Sequence, residues 1–235
     1  MTKDTFPEGG RIMSPTELLD PVDSLADLLH RLGDIDPARV PLRPAPGTAT
    51  LHDLIAWNHR KHQHAGLVEL VEATLVEKVM GFTEGGLAMD LAFFLQLYLR
   101  DHPLADLVGA DAPMRLAEGI VRLPDLALIR WERYPNRQRP REPVPTLAPD
   151  LAIEILSEGN TPAEMARKRR EYFQAGTLLV WQIDPRRREV DVYTGPEQHV
   201  TLTEADILHG EPLLPGFTLP VAELFRRLPP NENQN

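Results

Sequence analysis

The segment from Val121 to Arg170 concentrates the residues that could act together in a reaction. It runs VRLPDLALIRW, then a loop rich in Pro and Arg, then APDLAIEILSEGNTPAEMARKRREYF. Asp125 opens one apolar run and Asp150 opens a second; Glu154 interrupts the middle of the second, and Lys168 follows in a basic stretch. A carboxylate inside a buried strand is costly unless it is paired or binds a metal. Side chains alternate across a strand, so Asp125 shares a face with Ala127 and Ile129, and Glu154 with Ala152 and Leu156. If the two strands are neighbours, both acids converge on one point, and the small alanines leave room for an ion. A hard divalent cation such as Mg²⁺ takes one or two carboxylates with a carbonyl and waters, and the carbonyl of Ile155 is a natural extra ligand. Met165, Lys168 and Tyr172 fall on one helix face, which leans Lys168 toward the sheet, while Arg167, Arg169 and Arg170 take other, partly exposed faces. An ammonium there could orient an attacking water or stabilise charge developing on a phosphoryl group. This order of residues suits metal-dependent hydrolysis of a phosphodiester.

Each residue also has a plainer reading. A Pro-Asp pair often only begins a strand, Glu154 could be the buried partner of an arginine, and Lys168 could be surface. Of the two Pro-Asp pairs, Asp125 is the expected ligand, and Asp150 is expected to start the strand that delivers Glu154. Glu69 lies in the apolar run LVELVEATLVEKVM, alternating with Leu67 and Val71. It is open between a third acidic ligand and an edge-strand surface charge. His59, His62 and His64 match no zinc spacing and read as polar surface. There is neither a G-x-S-x-G elbow nor a phosphate-binding G-x-x-x-x-G-K-[ST] loop.

The elements that must position these residues follow from period and punctuation. Residues 1–48 read as a helical N-terminal extension and linker. A short helix is expected near Pro15–Leu19, where Ser14 and Glu17 have capping-box spacing, and another from about Pro21 to Leu32, stopped by Gly33. The prolines of ARVPLRPAPGTAT mark the linker. A nuclease-like domain is expected over 49–228, beginning with a helix capped by Thr50 and Asp53. Two strands over Leu67–Met80 join near Glu72–Thr74. Leu87–Arg100 is a core helix, with Asp90 a structural carboxylate near its start. Strands follow at Met114–Leu116, Arg122–Trp131 and Leu151–Ser157. The loop ERYPNRQRPREPVPTLAP is too proline-rich for a sheet interior. Thr161, Pro162, Glu164 and Gly176 bracket the basic helix. Leu178–Ile183 and Glu189–Tyr193 form a hairpin, a short helix starts near Val221, and 229–235 reads as a disordered tail.

Bulk properties set limits. Twenty-five basic against thirty-five acidic residues leave −10, unlike a typical nucleic-acid binder, yet Arg130–Arg188 holds twelve Lys/Arg and eight Asp/Glu. Local fields, not totals, steer a polyanion. The absence of cysteine removes disulfides and thiolate sites and suits a cytoplasmic address. No run approaches a membrane span.

The pieces LVELVEATLVEKV, VRLPDLALIRWER, APDLAIEILSEGNTPAEMARKRREYFQAGTLLVWQIDP, VDVYTG and LLPGFTLPVAELF resemble the Uma-two-type restriction endonuclease family, a domain of unknown function within the PD-(D/E)XK nuclease superfamily. The resemblance runs from about Leu67 to Phe225. It implies an α/β, restriction-endonuclease-like core, with a central mixed sheet of four or five strands and a helix on each side. It further implies Mg²⁺-dependent (or Mn²⁺-dependent) cleavage of DNA. By position, Asp125 matches the motif aspartate, Glu154 the second acid and Glu69 the acid of the first hairpin. The superfamily usually sets its lysine two residues after the second acid. Here that position is Leu156, and Lys168 on the following helix matches the family's replacement. Many members carry a histidine entering the helix after the first hairpin, where this chain has GFTEGGLAMDLA and Glu84. The expectation is therefore an endonuclease with Asp125, Glu154 and Glu69 on the metal, Lys168 orienting the water, and Arg133, Arg137, Arg139 and Arg141 tracking DNA phosphates. A homodimer is left open, since nucleases that cut both strands often dimerise. The alternative, favoured by the net charge, is a non-catalytic module on the same fold that binds nucleic acid or protein.

Overall fold

The computed structural model describes residues 23–59 and 66–229. The expected Ser14–Glu17 helix, His62, His64 and nearly all of the C-terminal tail lie outside the described residues.

The chain forms helices α1 (Leu25–Arg31) and α2 (Leu51–His59), then strands β1 (Val68–Val71) and β2 (Thr74–Glu77). The long helix α3 (Phe82–Asp101) follows, then β3 (Ala105–Gly109), β4 (Met114–Ala117), β5 (Ile120–Arg122) and β6 (Leu126–Arg130). The second half holds β7 (Leu151–Ile155), α4 (Pro162–Gln174), β8 (Leu179–Asp184), β9 (Glu189–Tyr193), β10 (His199–Leu202), β11 (Ile207–His209), β12 (Thr218–Pro220) and α5 (Val221–Phe225). The main sheet has six strands in the order β10-β9-β8-β7-β6-β3, and a second sheet has four in the order β2-β1-β5-β4. The main sheet is mixed, since β7 and β8 run parallel while the other neighbours are antiparallel. It is thus larger than the four or five strands expected, because β3 and β10 extend it.

Strand alternation sorts the main sheet into two faces. Leu126, Leu128, Leu151, Ile153, Ile155, Leu179, Trp181 and Ile183 face the largest core, with Leu87, Leu91, Leu95 and Leu99 of α3 and Leu224 and Phe225 of α5. The opposite face presents Ala152 and Val180 to Tyr172 of α4. The small sheet is two-sided as well. Val68, Leu70, Leu75, Val121 and Leu123 pack with Leu54 of α2, while Val71 and Val76 pack with Leu28, Leu32, Ile35 and Val40 of the N-terminal extension.

Several local predictions change in detail. The expected strand Arg122–Trp131 is two strands in two different sheets. Pro124 has no N–H for a ladder, and the chain crosses there from β5, paired with β1 and β4, to β6, paired with β3 and β7. Glu72 and Ala73 turn the first hairpin, both with positive φ, as a tight two-residue connection requires. The core helix starts earlier than Leu87, so Asp90 lies well inside it rather than near its start. Its carboxylate is 2.7 Å from Arg227, and that partner explains it better than the helix dipole. The Pro/Arg loop is ordered through a bridge of Thr146 to Arg115 beside β4.

Candidate active site

Asp125 sits in the sheet-to-sheet crossing, immediately before β6. Its N–H donates to the Ile153 carbonyl at 3.0 Å, and its Oδ2 accepts from the Ile155 N–H at 2.7 Å. The residue is therefore fastened to both neighbours of Glu154 on β7. Glu154 points to the α4 face, as alternation requires, and its Oε1 accepts from the Tyr172 hydroxyl at 2.7 Å. Lys168 Nζ stands 3.3 Å from Glu154 Oε2 and 3.3 Å from Glu69 Oε1. Asp125, Glu154, Glu69 and Lys168 thus meet in one buried cluster drawn from the crossing, β7, β1 and α4.

α4 is held at the angle this needs. Thr161 accepts from the Glu164 N–H at 3.0 Å, the cap expected from the sequence. Glu164 does not complete the box in the expected way. Its carboxylate takes a bidentate pair of bonds from Arg39 at 2.9 and 2.7 Å and one from Asn160 at 3.1 Å. Gly33, at φ +98°, lets the N-terminal extension close on this helix, where a Cβ would lie 2.5 Å from the Glu164 backbone. Met165, Lys168 and Tyr172 are all buried on one face, as expected. Arg169 is buried too, against the expectation of partial exposure. Its guanidinium lies 4.0 Å from the centre of the Tyr193 ring and bonds to Gln182 at 3.2 Å.

Glu69 is fully buried, and β1 has a neighbour on each side, so it is no edge-strand surface charge. Its Oε1 accepts from the Leu123 N–H at 3.0 Å and its Oε2 from Arg122 at 2.7 Å. Arg122 in turn donates to Glu171 at 2.6 Å, and Glu171 accepts from Arg167 at 2.7 Å. Lys78, just past β2, places its Nζ 2.9 Å from Asp125 Oδ1. Sequence reasoning did not single out Lys78, Arg122 or Glu171 as site residues. The signals were a cation in the apolar run LVEKVM and an arginine directly before LPD.

The electrostatics divide the acids. Burial would raise the Glu69 carboxyl, but Lys168, Arg122, the Leu123 amide and Lys78 outweigh it and bring it down to about 2. Glu154 goes the other way. Burial pushes it up, and the charges of Asp125 and Glu69 add to that, against the opposing pull of Lys168 and Lys78. Burial opposes the charge on Lys168, yet Glu154, Glu69 and Glu164 hold its pKa above the ordinary lysine value. Glu154 thus stays raised although Lys168 stands beside it, because burial and two neighbouring carboxylates outweigh that cation, whereas Glu69 is held down by several cations and an amide.

That asymmetry bears on a metal. Among the described residues, no three acidic or histidine side chains lie grouped closely enough to enclose an ion. Two carboxylates suffice for Mg²⁺ when a carbonyl and waters complete the shell. The donor chemistry of Asp125 and Glu154 fits, although Lys78 and Lys168 stand beside them, and Glu69 is held by Arg122, Leu123 and Lys168. Glu84 lies half-buried in the first turn of α3.

Asp150 has a structural role. Fully buried, it stands 2.9 Å from both Arg130 and Arg133. Of the loop arginines, Arg133 also bonds to the Gly176 carbonyl at 2.7 Å, Arg139 grips Asp106 with two bonds of 2.6 Å, and Arg137 lies 3.4 Å from Glu132. Arg141 is exposed. Beside the cluster, a cleft of about 440 Å³ opens past Met165, Arg169 and Gln182 toward Arg186, Asp191 and Tyr193. Gln182 is the β8 residue in register with Glu154.

A family model, Uma2, described as "Putative restriction endonuclease", matches residues 52–222. No curated protein matches the chain. A solved structure described as "a putative nuclease belonging to DUF820 from Anabaena variabilis ATCC 29413" superposes with a TM-score of 0.61 at 17% identity, covering 72% of this chain and 97% of that one. At that identity the likeness is one of fold, and the fold is the restriction-endonuclease-like α/β core expected from the sequence.

Proposed function

This chain belongs to the Uma2 family, and on that footing we propose that it is a metal-dependent DNA endonuclease. Asp125 and Glu154 would hold Mg²⁺ or Mn²⁺, with the Ile155 carbonyl as the further protein ligand. The observation that carries the reading is the meeting of Asp125, Glu154 and Lys168, from three separate elements, in one buried cluster in which burial and neighbouring carboxylates hold Glu154 above its ordinary value. Bound there, the ion would supply Lewis acidity and an acidified water.

The chain's own residues do the rest. Tyr172 and Lys168 fix the two oxygens of Glu154. Lys168, with its raised pKa, is a permanent ammonium at neutral pH, so it serves as a hydrogen-bond donor and charge stabiliser rather than a base. Glu69 is a positioning residue: anchored by Leu123 and Arg122, it holds Lys168 from the side away from Glu154. The cleft lined by Arg169 and Arg186, with the exposed Arg141 and Arg137, would take the DNA backbone. Such contacts fix position without reading sequence. A cysteine-free chain suits the reducing cytoplasm, and we place it there.

The test is nicking of supercoiled plasmid. Nicking should require Mg²⁺ or Mn²⁺, stop with chelator, and vanish in Asp125→Ala. Equal cleavage by that variant and the wild type would sink the assignment. The second reading, a binding module without catalysis, draws on the −10 charge and on the cations that already answer each acid. Tight DNA binding with no metal-dependent nicking would select it. Metal uptake with no DNA affinity at low salt would point to another phosphate-bearing substrate.

A further inference from the structure

Lys78 is the cation of this site with no role in the reading above. Its side chain is 3% exposed, and its Nζ lies 2.9 Å from Asp125 Oδ1. The same nitrogen donates to the Leu123 carbonyl at 2.5 Å and to the Ala110 carbonyl at 3.5 Å. An ammonium has three protons, and here all three are committed. Asp125 is equally occupied, since its other oxygen accepts from Ile155. The two lysines divide the acids between them: Lys168 answers Glu69 and Glu154, and Lys78 answers Asp125.

We propose that Lys78 is a built-in competitor for the metal, its ammonium and a divalent cation holding Asp125 in alternation. The proposal rests on the reading that Asp125 and Glu154 are the metal ligands. A single charge and a double charge of the same sign sharing one buried carboxylate repel far more strongly than they would in water, because the protein interior screens them less. The ammonium has somewhere to withdraw to. The carbonyls of Leu123 and Ala110 already share it with the carboxylate, and the lysine stem is long and unbranched. Lys168 lacks such carbonyl anchors and stays between its two acids. The consequence is a site that loads only when the free ion is concentrated enough to displace the ammonium from Asp125, so metal supply would gate the activity.

The experiment is calorimetric titration of the full chain with Mn²⁺ alone, comparing wild type with Lys78→Met. The variant should bind Mn²⁺ about tenfold tighter or more, since a like charge beside the ligand has been removed. Equal affinity in the two proteins overturns the competitor role and leaves the metal-dependent reading standing. Weaker binding by Lys78→Met also overturns it, since Lys78 would then support the site. No uptake by either protein removes both the inference and the metal reading beneath it. If Lys78→Met does not fold, the wild type still decides. The Lys78 ammonium resonance, assigned by NMR, should shift as Mg²⁺ is titrated in, and a stationary resonance alongside a binding heat would refute the proposal.

Discussion

Glu69 and Glu154 share Lys168 yet are shifted in opposite directions, so neutralising each should give different results. Glu69→Gln leaves Arg122 and Lys168 under-compensated in a dry environment. It should cost roughly 3 kcal/mol in denaturant unfolding, as expected for breaking a buried pair. Glu154→Gln removes a charge that burial and its acidic neighbours already disfavour. It should leave stability within about 1 kcal/mol while abolishing Mn²⁺ uptake, a pairing that separates a ligand from a scaffold residue. The pH dependence follows with sign. Glu69 has a folded value of about 2 against an ordinary 4.5. Its stabilisation is complete above the unfolded value and is lost as pH falls from about 4.5 toward about 2. Glu154, raised on folding, contributes in the opposite sense, favouring the fold as it protonates. Lys168, also raised, contributes fully below the ordinary lysine value of 10.5 and loses that contribution only as pH rises beyond it. Thermal melts at stepped pH should show a net loss below pH 4.5 that Glu69→Gln flattens. Asp125 and Glu154 were legible as candidates because a carboxylate at or inside an apolar run is conspicuous, and Lys168 because it shares a helix face with Met165 and Tyr172. Lys78 and Arg122 were not, because what makes them site residues is a partner on a different element.

α4 is the element on which the site depends most, for it carries Lys168, Glu171 and Tyr172 together. Its N-terminus is capped by Thr161 and clamped through Glu164 by Arg39 of the N-terminal extension. Thr161→Ala should cost about 1 kcal/mol. Arg39→Met should cost more, roughly 3 to 5 kcal/mol, because it strands a buried carboxylate. Chemical denaturation of the two variants checks the ranking, and the reverse order would mean that the extension only rests on the helix. The helix itself was legible from Thr161, Pro162, Glu164 and Gly176. The clamp was not, because the sequence offers Glu164 a local capping partner and only packing shows that Arg39 takes it. The break at Pro124 was missed for a related reason. A continuous apolar run looks the same whether it stays in one sheet or crosses between two. The strand β3 was also overlooked, a short segment between a long helix and a tight turn.

At the scale of the molecule, a chain of net charge −10 carries a few arginines where a nucleic acid would lie, and several of those already answer a carboxylate. Few phosphates can then be neutralised. DNA affinity should fall with salt with a log–log slope of only about −2 to −4, against about −10 for a strongly basic binder. Fluorescence anisotropy between 50 and 200 mM salt, roughly the range in which such slopes are read, checks it, and a slope near −10 would mean that a larger basic surface engages DNA. No helix among the described residues is long and apolar enough to cross a membrane. Most of the helices and strands, the family and the acids worth inspecting were determined by the sequence, because apolar period, capping residues and misplaced charges are local and survive in one dimension. The tertiary structure alone decided which cation faces which acid, that Glu69 belongs to Arg122 as much as to the cluster, and that Lys78 stands on Asp125. Pairing among buried charges is set by distances across elements, and a few ångströms in a poorly screened interior separate a ligand from a counter-ion.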